Sequence, residues 1–122
     1  MKKEIITKNA PTPAGPYSQG ILTDNYVFVA GQRPQDPETG EIKKSVEDQT
    51  RQVIKNIEAI LNESQLGIED VVRTTVYLSD IKYFDAMNSV YKEMFKKPFP
   101  ARTTMGVQLR GIDVEIDAIA KK

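Results

Sequence analysis

The sequence predicts an α+β fold: a mixed sheet of about six strands with two helices packed on one face. Three features predict it. β-branched and aromatic runs occupy both ends of the chain and one central stretch. Two segments between them change to helical spacing. Gly, Pro, Asn and Asp clusters punctuate the boundaries. With 122 residues the chain makes a single domain, 1–122, large enough for a core and too short for two.

In order, "KEII" (3–6) reads as a short strand. "KNAPTPAGPYSQG" (8–20) holds three prolines and two glycines, which suit neither a ladder nor a helix, so an ordered arm is expected. "ILTDNYVFVAG" (21–31) reads as a hairpin turning at Asp24-Asn25, and "DPETGE" (36–41) as a further turn. From Ser45, the residues Val46, Val53, Ile54, Ile57, Ile60 and Leu61 form one apolar helical stripe. Ser45 followed by Asp48 is an acidic variant of the capping box, and the helix should end between Asn62 and Gly67. "EDVVRTTVYLSD" (69–80) is a strand expected to place Val72, Thr74, Val76 and Leu78 on one face. A second helix follows Ser79-Asp80, with Phe84, Met87, Tyr91 and Met94 or Phe95 inward, and "KKPFP" (96–100) stops it. "ARTTMGVQL" (101–109) and "DVEIDAIA" (113–120) are expected to be antiparallel neighbours.

Two helices cover only one face of such a sheet. "YVFVA" is apolar on both sides, whereas a strand wetted on one side should alternate. The second face is therefore expected to meet neighbouring subunits in an oligomer.

Lys plus Arg and Asp plus Glu both number 17, so the formal net charge is zero. Neither a nucleic-acid partner held by phosphate attraction nor an anionic lipid surface is expected from that balance. No stretch approaches the roughly 20 apolar residues of a membrane span, and "MKKEIITKNAPTP" has no apolar run to make it a secretory signal, so a cytoplasmic protein is expected. Cys and His are both absent. That removes Cys-His and Ser-His nucleophilic arrangements and metal sites built on thiolate or imidazole.

Arg102 stands out among residues suited to burial. Strand alternation puts Arg102, Thr104 and Gly106 on one side and Thr103, Met105 and Val107 on the other. In the last strand Val114, Ile116, Ala118 and Ala120 alternate with Glu115, Asp117 and Ile119. Setting the apolar sides against the helices would bring Arg102, Thr104 and Glu115 together on the subunit-facing side. Three readings of Arg102 follow: an ion pair with Glu115 or Asp117, a bidentate anchor for a ligand carboxylate, or a solvated edge residue.

The segments "GPYSQG" (15–20), "VAGQRP" (29–34), "NSVYKEMF" (88–95), "FPARTT" (99–104) and "VEIDAIA" (114–120) together resemble the signature of the RidA/YjgF family of imine deaminases. The matches run in the family's order along nearly the whole chain. The resemblance implies a chorismate-mutase-like fold and a homotrimer with a central barrel and sites between subunits. It implies hydrolysis of 2-imino or enamino acids, such as the 2-aminoacrylate released by pyridoxal-phosphate enzymes, to 2-keto acids and ammonia, with no cofactor and no metal. By motif matching it makes Arg102 the carboxylate anchor, places Tyr17, Gly31 and Asn88 around the substrate, and adds Glu115 to the site.

Such a reaction suits the composition. An imine carbon is already electrophilic, so hydrolysis needs orientation, a placed water and proton transfer rather than a strong nucleophile. Glu115 in a partly desolvated cleft would have a raised pKa and pass protons to departing ammonia. Blander roles stand beside these: Tyr17 packing under the arm, Gly31 serving a turn or a close strand approach, Asn88 facing solvent, Glu115 pairing with Arg102. Thr104 occupies a position where many family members carry Cys, and its hydroxyl is expected to help hold a water. The connection "QLRGID" (108–113) is short for the family, and Arg33 adds a charge near the mouth. The rival activities are a trimeric binder of small carboxylates without turnover and a ribonuclease or translation inhibitor; the neutral charge and missing His speak against the latter.

Overall fold

The computed structural model describes residues 1–122. Six strands form one sheet: β1 (Lys3–Ile5), β2 (Gly20–Leu22), β3 (Tyr26–Gln32), β4 (Val71–Leu78), β5 (Ala101–Gly106) and β6 (Val114–Lys121), in the spatial order β1-β2-β3-β6-β4-β5. Helices α1 (Val46–Asn62) and α2 (Phe84–Met94) pack together on one face. The mixed α+β architecture expected from the sequence is the one observed.

The stripe on α1 is the centre of the core: Val53, Ile54, Ile57, Ile60 and Leu61 are all fully buried. Ser45 caps the helix by accepting from the Asp48 amide, 3.0 Å. The helix closes through two hydrogen bonds, Gln65 N–H to Asn62 O (3.1 Å) and Leu66 N–H to Leu61 O (3.1 Å), with Gln65 in the left-handed region at φ 58°. That is a Schellman closure with Gln where Gly is favoured.

The two final strands are not neighbours. β5 pairs in parallel with β4, whereas β6 runs antiparallel between β3 and β4. Helix α2 is a crossover that returns the chain to the sheet edge, so β5 extends the sheet outward. The 107–113 connection then carries the chain back past β4. β6 belongs in the centre because its inner side, Val114, Ile116, Ala118 and Ala120, is at most 2% exposed, with small residues where α1 approaches.

Two face assignments also change. A register shift between Val71 and Arg73 turns Val71 inward and leaves Val72 43% exposed, while Thr74, Val76 and Leu78 keep the expected side. Phe84 is not a core residue of α2; Val90 is buried instead, with Met87, Tyr91 and Phe95.

Candidate active site

The predicted site residues fall into two clusters on opposite faces of the sheet. Arg102 lies opposite Thr74 of β4. Thr74 is fully buried beneath the helices and its hydroxyl shares a 2.7 Å hydrogen bond with that of Tyr91 on α2. Arg102 and Thr104 thus belong to the helix-facing side, and Thr103 and Met105 to the open side, the reverse of the expectation. The reason is position: β5 is an edge strand only partly roofed by α2, so its polar alternation does not mark solvent.

The guanidinium carbon of Arg102 lies 4.7 Å from the Tyr91 ring centroid and 5.5 Å from that of Phe84. Aromatic faces attract a cation through their quadrupoles without neutralising it. None of the protein's ion pairs includes Arg102. Its N–H edge therefore has no carboxylate within the protomer, and the expected pairing with Glu115 or Asp117 is not made. Asn88, Tyr91, Lys92, Phe99 and Pro100 join Arg102 around a cavity of about 400 Å³. Burial raises the Tyr91 phenol above its ordinary pKa, against the opposing pull of Thr74 and Arg102. Thr104 sits opposite Val76, two residues along the same side as Arg102 and outside the cavity lining.

Glu115 lies on the open side of β6, opposite Tyr77, whose hydroxyl donates to Asp117 at 2.9 Å. Gly31 lies in an irregular stretch of β3, where the register against β6 shifts between Val29 and Gln32. A Cβ at Gly31 would collide with the Glu115 carboxylate oxygen and stand 3.1 Å from its Cδ. The missing side chain therefore makes room for the acid. Burial pushes the Glu115 carboxyl up, Arg33 pulls it down, and Asp117 adds to the rise. Tyr17 is 49% exposed, and its hydroxyl accepts from the Ala14 amide at 3.1 Å. With Arg33, Arg110 and Glu115 it borders a depression of about 640 Å³. The protomer thus joins Arg102 to Asn88, and Tyr17 to Gly31 and Glu115, but does not join the two groups to each other.

Several supporting residues escaped the sequence reading. Gln19 is buried, accepts from the Thr7 amide (2.8 Å) and donates to the Thr7, Ala10 and Pro11 carbonyls, pinning the arm that leads to Tyr17. Asn56 donates to the Arg33 and Gln35 carbonyls, 3.0 Å each, and fixes the loop carrying Arg33. Gln49 accepts from the Asp113 and Val114 amides, just before Glu115. The available signal was Gln49, Gln52 and Asn56 recurring at helical spacing beside an apolar stripe. No three acidic side chains converge as metal ligands would.

A family model described as Endoribonuclease L-PSP matches residues 7–122. The chain belongs to the RutC/YjgF/RidA family. A RutC family protein of Pyrococcus horikoshii is 51% identical, the match covering 100% of this chain and 99% of the relative. The 2-iminobutanoate/2-iminopropanoate deaminase of Escherichia coli K12 is 38% identical over 98% of each chain. Among solved RidA-family structures, Escherichia coli TdcF with bound serine superposes with a TM-score of 0.93 at 36% identity, covering 99% of both chains.

Proposed function

We propose that the protein is a cofactor-free deaminase of 2-imino acids, converting compounds such as 2-iminobutanoate, 2-iminopropanoate and 2-aminoacrylate into 2-keto acids and ammonia. The observation that carries this reading is Arg102: a guanidinium held against two aromatic rings, in a cavity, with no carboxylate of its own. Once a neighbouring subunit closes the cavity, an unpaired cation there becomes costly, and a substrate carboxylate supplies the bidentate partner. The deaminase relative supports the reaction class.

The working unit is a homotrimer whose sheets close a central barrel. Its support is the open face, where Tyr26, Phe28 and Met105 are 40%, 43% and 38% exposed. A neighbouring subunit covers that face and supplies the Tyr17, Gly31 and Glu115 group to the Arg102 and Asn88 group of the next. Arg102 then holds the carboxylate, and Asn88 and Tyr17 orient the substrate. As water adds to the iminium carbon, Glu115 takes its proton. It returns that proton to nitrogen, the C–N bond breaks, the carbonyl forms, and the hydroxyl proton leaves with ammonia as ammonium. One water is consumed and no electrons change hands. Orientation and a matched proton shuttle supply the acceleration. Pyridoxal-phosphate enzymes are the metabolic source of substrate.

A second reading, binding of small carboxylates without turnover, is favoured by the serine bound to TdcF. The family description also names an endoribonuclease, but balanced charge and the absence of His give that chemistry little support here. Timing the loss of an enzymatically generated imino acid with and without the protein tests the proposal. Acceleration proportional to protein concentration is expected; no acceleration at any concentration leaves only binding.

A further inference from the structure

The cavity beside Arg102 holds a second cation. Lys92 lies one turn beyond Asn88 on α2 and next to Tyr91, on whose ring the guanidinium rests. Its helical neighbours at three and four residues are Asn88, Ser89, Phe95 and Lys96, so no acid of its own helix lies one turn away. Lys92 belongs to no ion pair. Within the protomer the cavity is thus lined by two cations and no carboxylate, in a chain whose net charge is zero.

We infer that the site prefers 2-imino acids bearing a second carboxylate, with Lys92 as the specificity-determining residue. This rests on the proposed deaminase reading and names its substrate class: imines of the four- and five-carbon 2-keto diacids. Arg102 takes the carboxylate next to the imine carbon in its planar fork. Lys92, lining the same cavity one turn beyond Asn88 on α2, receives the distal carboxylate as a point charge. A carboxylate seated in the cavity beside Lys92 lies within the roughly 8 Å screening length at physiological salt, so the attraction operates despite the exposure of Lys92.

The experiment compares kcat/KM for imines generated in situ by a flavin amino acid oxidase from aspartate or glutamate and from alanine, using the whole protein. The wild type should favour the diacid imines. Lys92→Glu should lower the diacid-to-monoacid ratio by about tenfold, the effect of reversing one charge about 5 Å from the distal carboxylate in a water-like dielectric, and Lys92→Arg should preserve it. An equal ratio in wild type and Lys92→Glu overturns the inference. If no imine is hydrolysed, the deaminase reading fails separately, and equilibrium binding of 2-oxoglutarate and 2-oxobutanoate decides the inference. Tighter 2-oxoglutarate binding that Lys92→Glu abolishes upholds it; equal affinities, or a preference untouched by the variant, refute it.

Discussion

Replacing Gly31 with alanine separates the candidate site from the fold. Gly31 has no positive φ, so its backbone accepts a Cβ, and the change reduces the freedom of the unfolded chain, a gain of about 0.5 kcal/mol. The only neighbour in the way is the flexible end of Glu115. Its carboxylate must retreat by about 1 Å, and a misplacement of that size costs on the order of 10²-fold in rate. Gly31→Ala should therefore unfold at the same or a slightly higher temperature while kcat/KM for 2-iminopropanoate falls about 100-fold. Calorimetry and a coupled imine-hydrolysis assay read the two quantities from one preparation. Activity within twofold of wild type, with the fold intact, would refute the role given to Glu115.

Arg102→Ala breaks no ion pair and gives up only two cation–π contacts of about 0.5–1 kcal/mol each, so it should fold and trimerise while turnover drops by orders of magnitude; Arg102→Lys should recover little, since an ammonium lacks the planar fork. Monomers seen for Arg102→Ala by light scattering would contradict this. The raised pKa of Glu115 has two signatures. Activity should fall as pH drops through that raised value, a limb that Glu115→Gln lacks. Stability should instead decline as pH rises from the ordinary glutamate pKa through the raised one, because the folded state holds the proton longer than the unfolded chain. Urea titrations across that window, compared with Glu115→Gln, isolate the slope. Gln65→Gly should raise the unfolding temperature, relieving a left-handed residue at the α1 closure by about 1 kcal/mol; a lower temperature would contradict the Schellman assignment.

Local chemistry was legible in the sequence where each residue's neighbours were close along the chain. The α1 stripe, the Ser45 cap and the Asp24-Asn25 hairpin follow from spacing and turn residues alone, and each is observed. Strand order was not legible. Sequential strands usually pair, yet β6 leaves β5 and enters between β3 and β4, a choice made by tertiary burial of Ala118 and Ala120. Arg102 is set on the wrong face for a separate reason: alternation reports two sides of a strand without saying which side is roofed, and β5 is an edge strand only partly covered by α2. Val72 was misassigned for a related reason: one extra residue in the ladder reverses the alternation. The motif residues Arg102, Asn88, Tyr17, Gly31 and Glu115 were identifiable through the family resemblance. Their division into two groups was not, since it depends on which face each strand presents.

A crystal structure with a bound 2-keto acid addresses the free guanidinium directly. The expected map has the ligand carboxylate in a two-pronged contact with Arg102, and Glu115 of an adjacent subunit within hydrogen-bond reach of the keto oxygen. A map in which Arg102 is instead paired with an acid of the protein, and the ligand lies elsewhere or is not bound, would contradict the account.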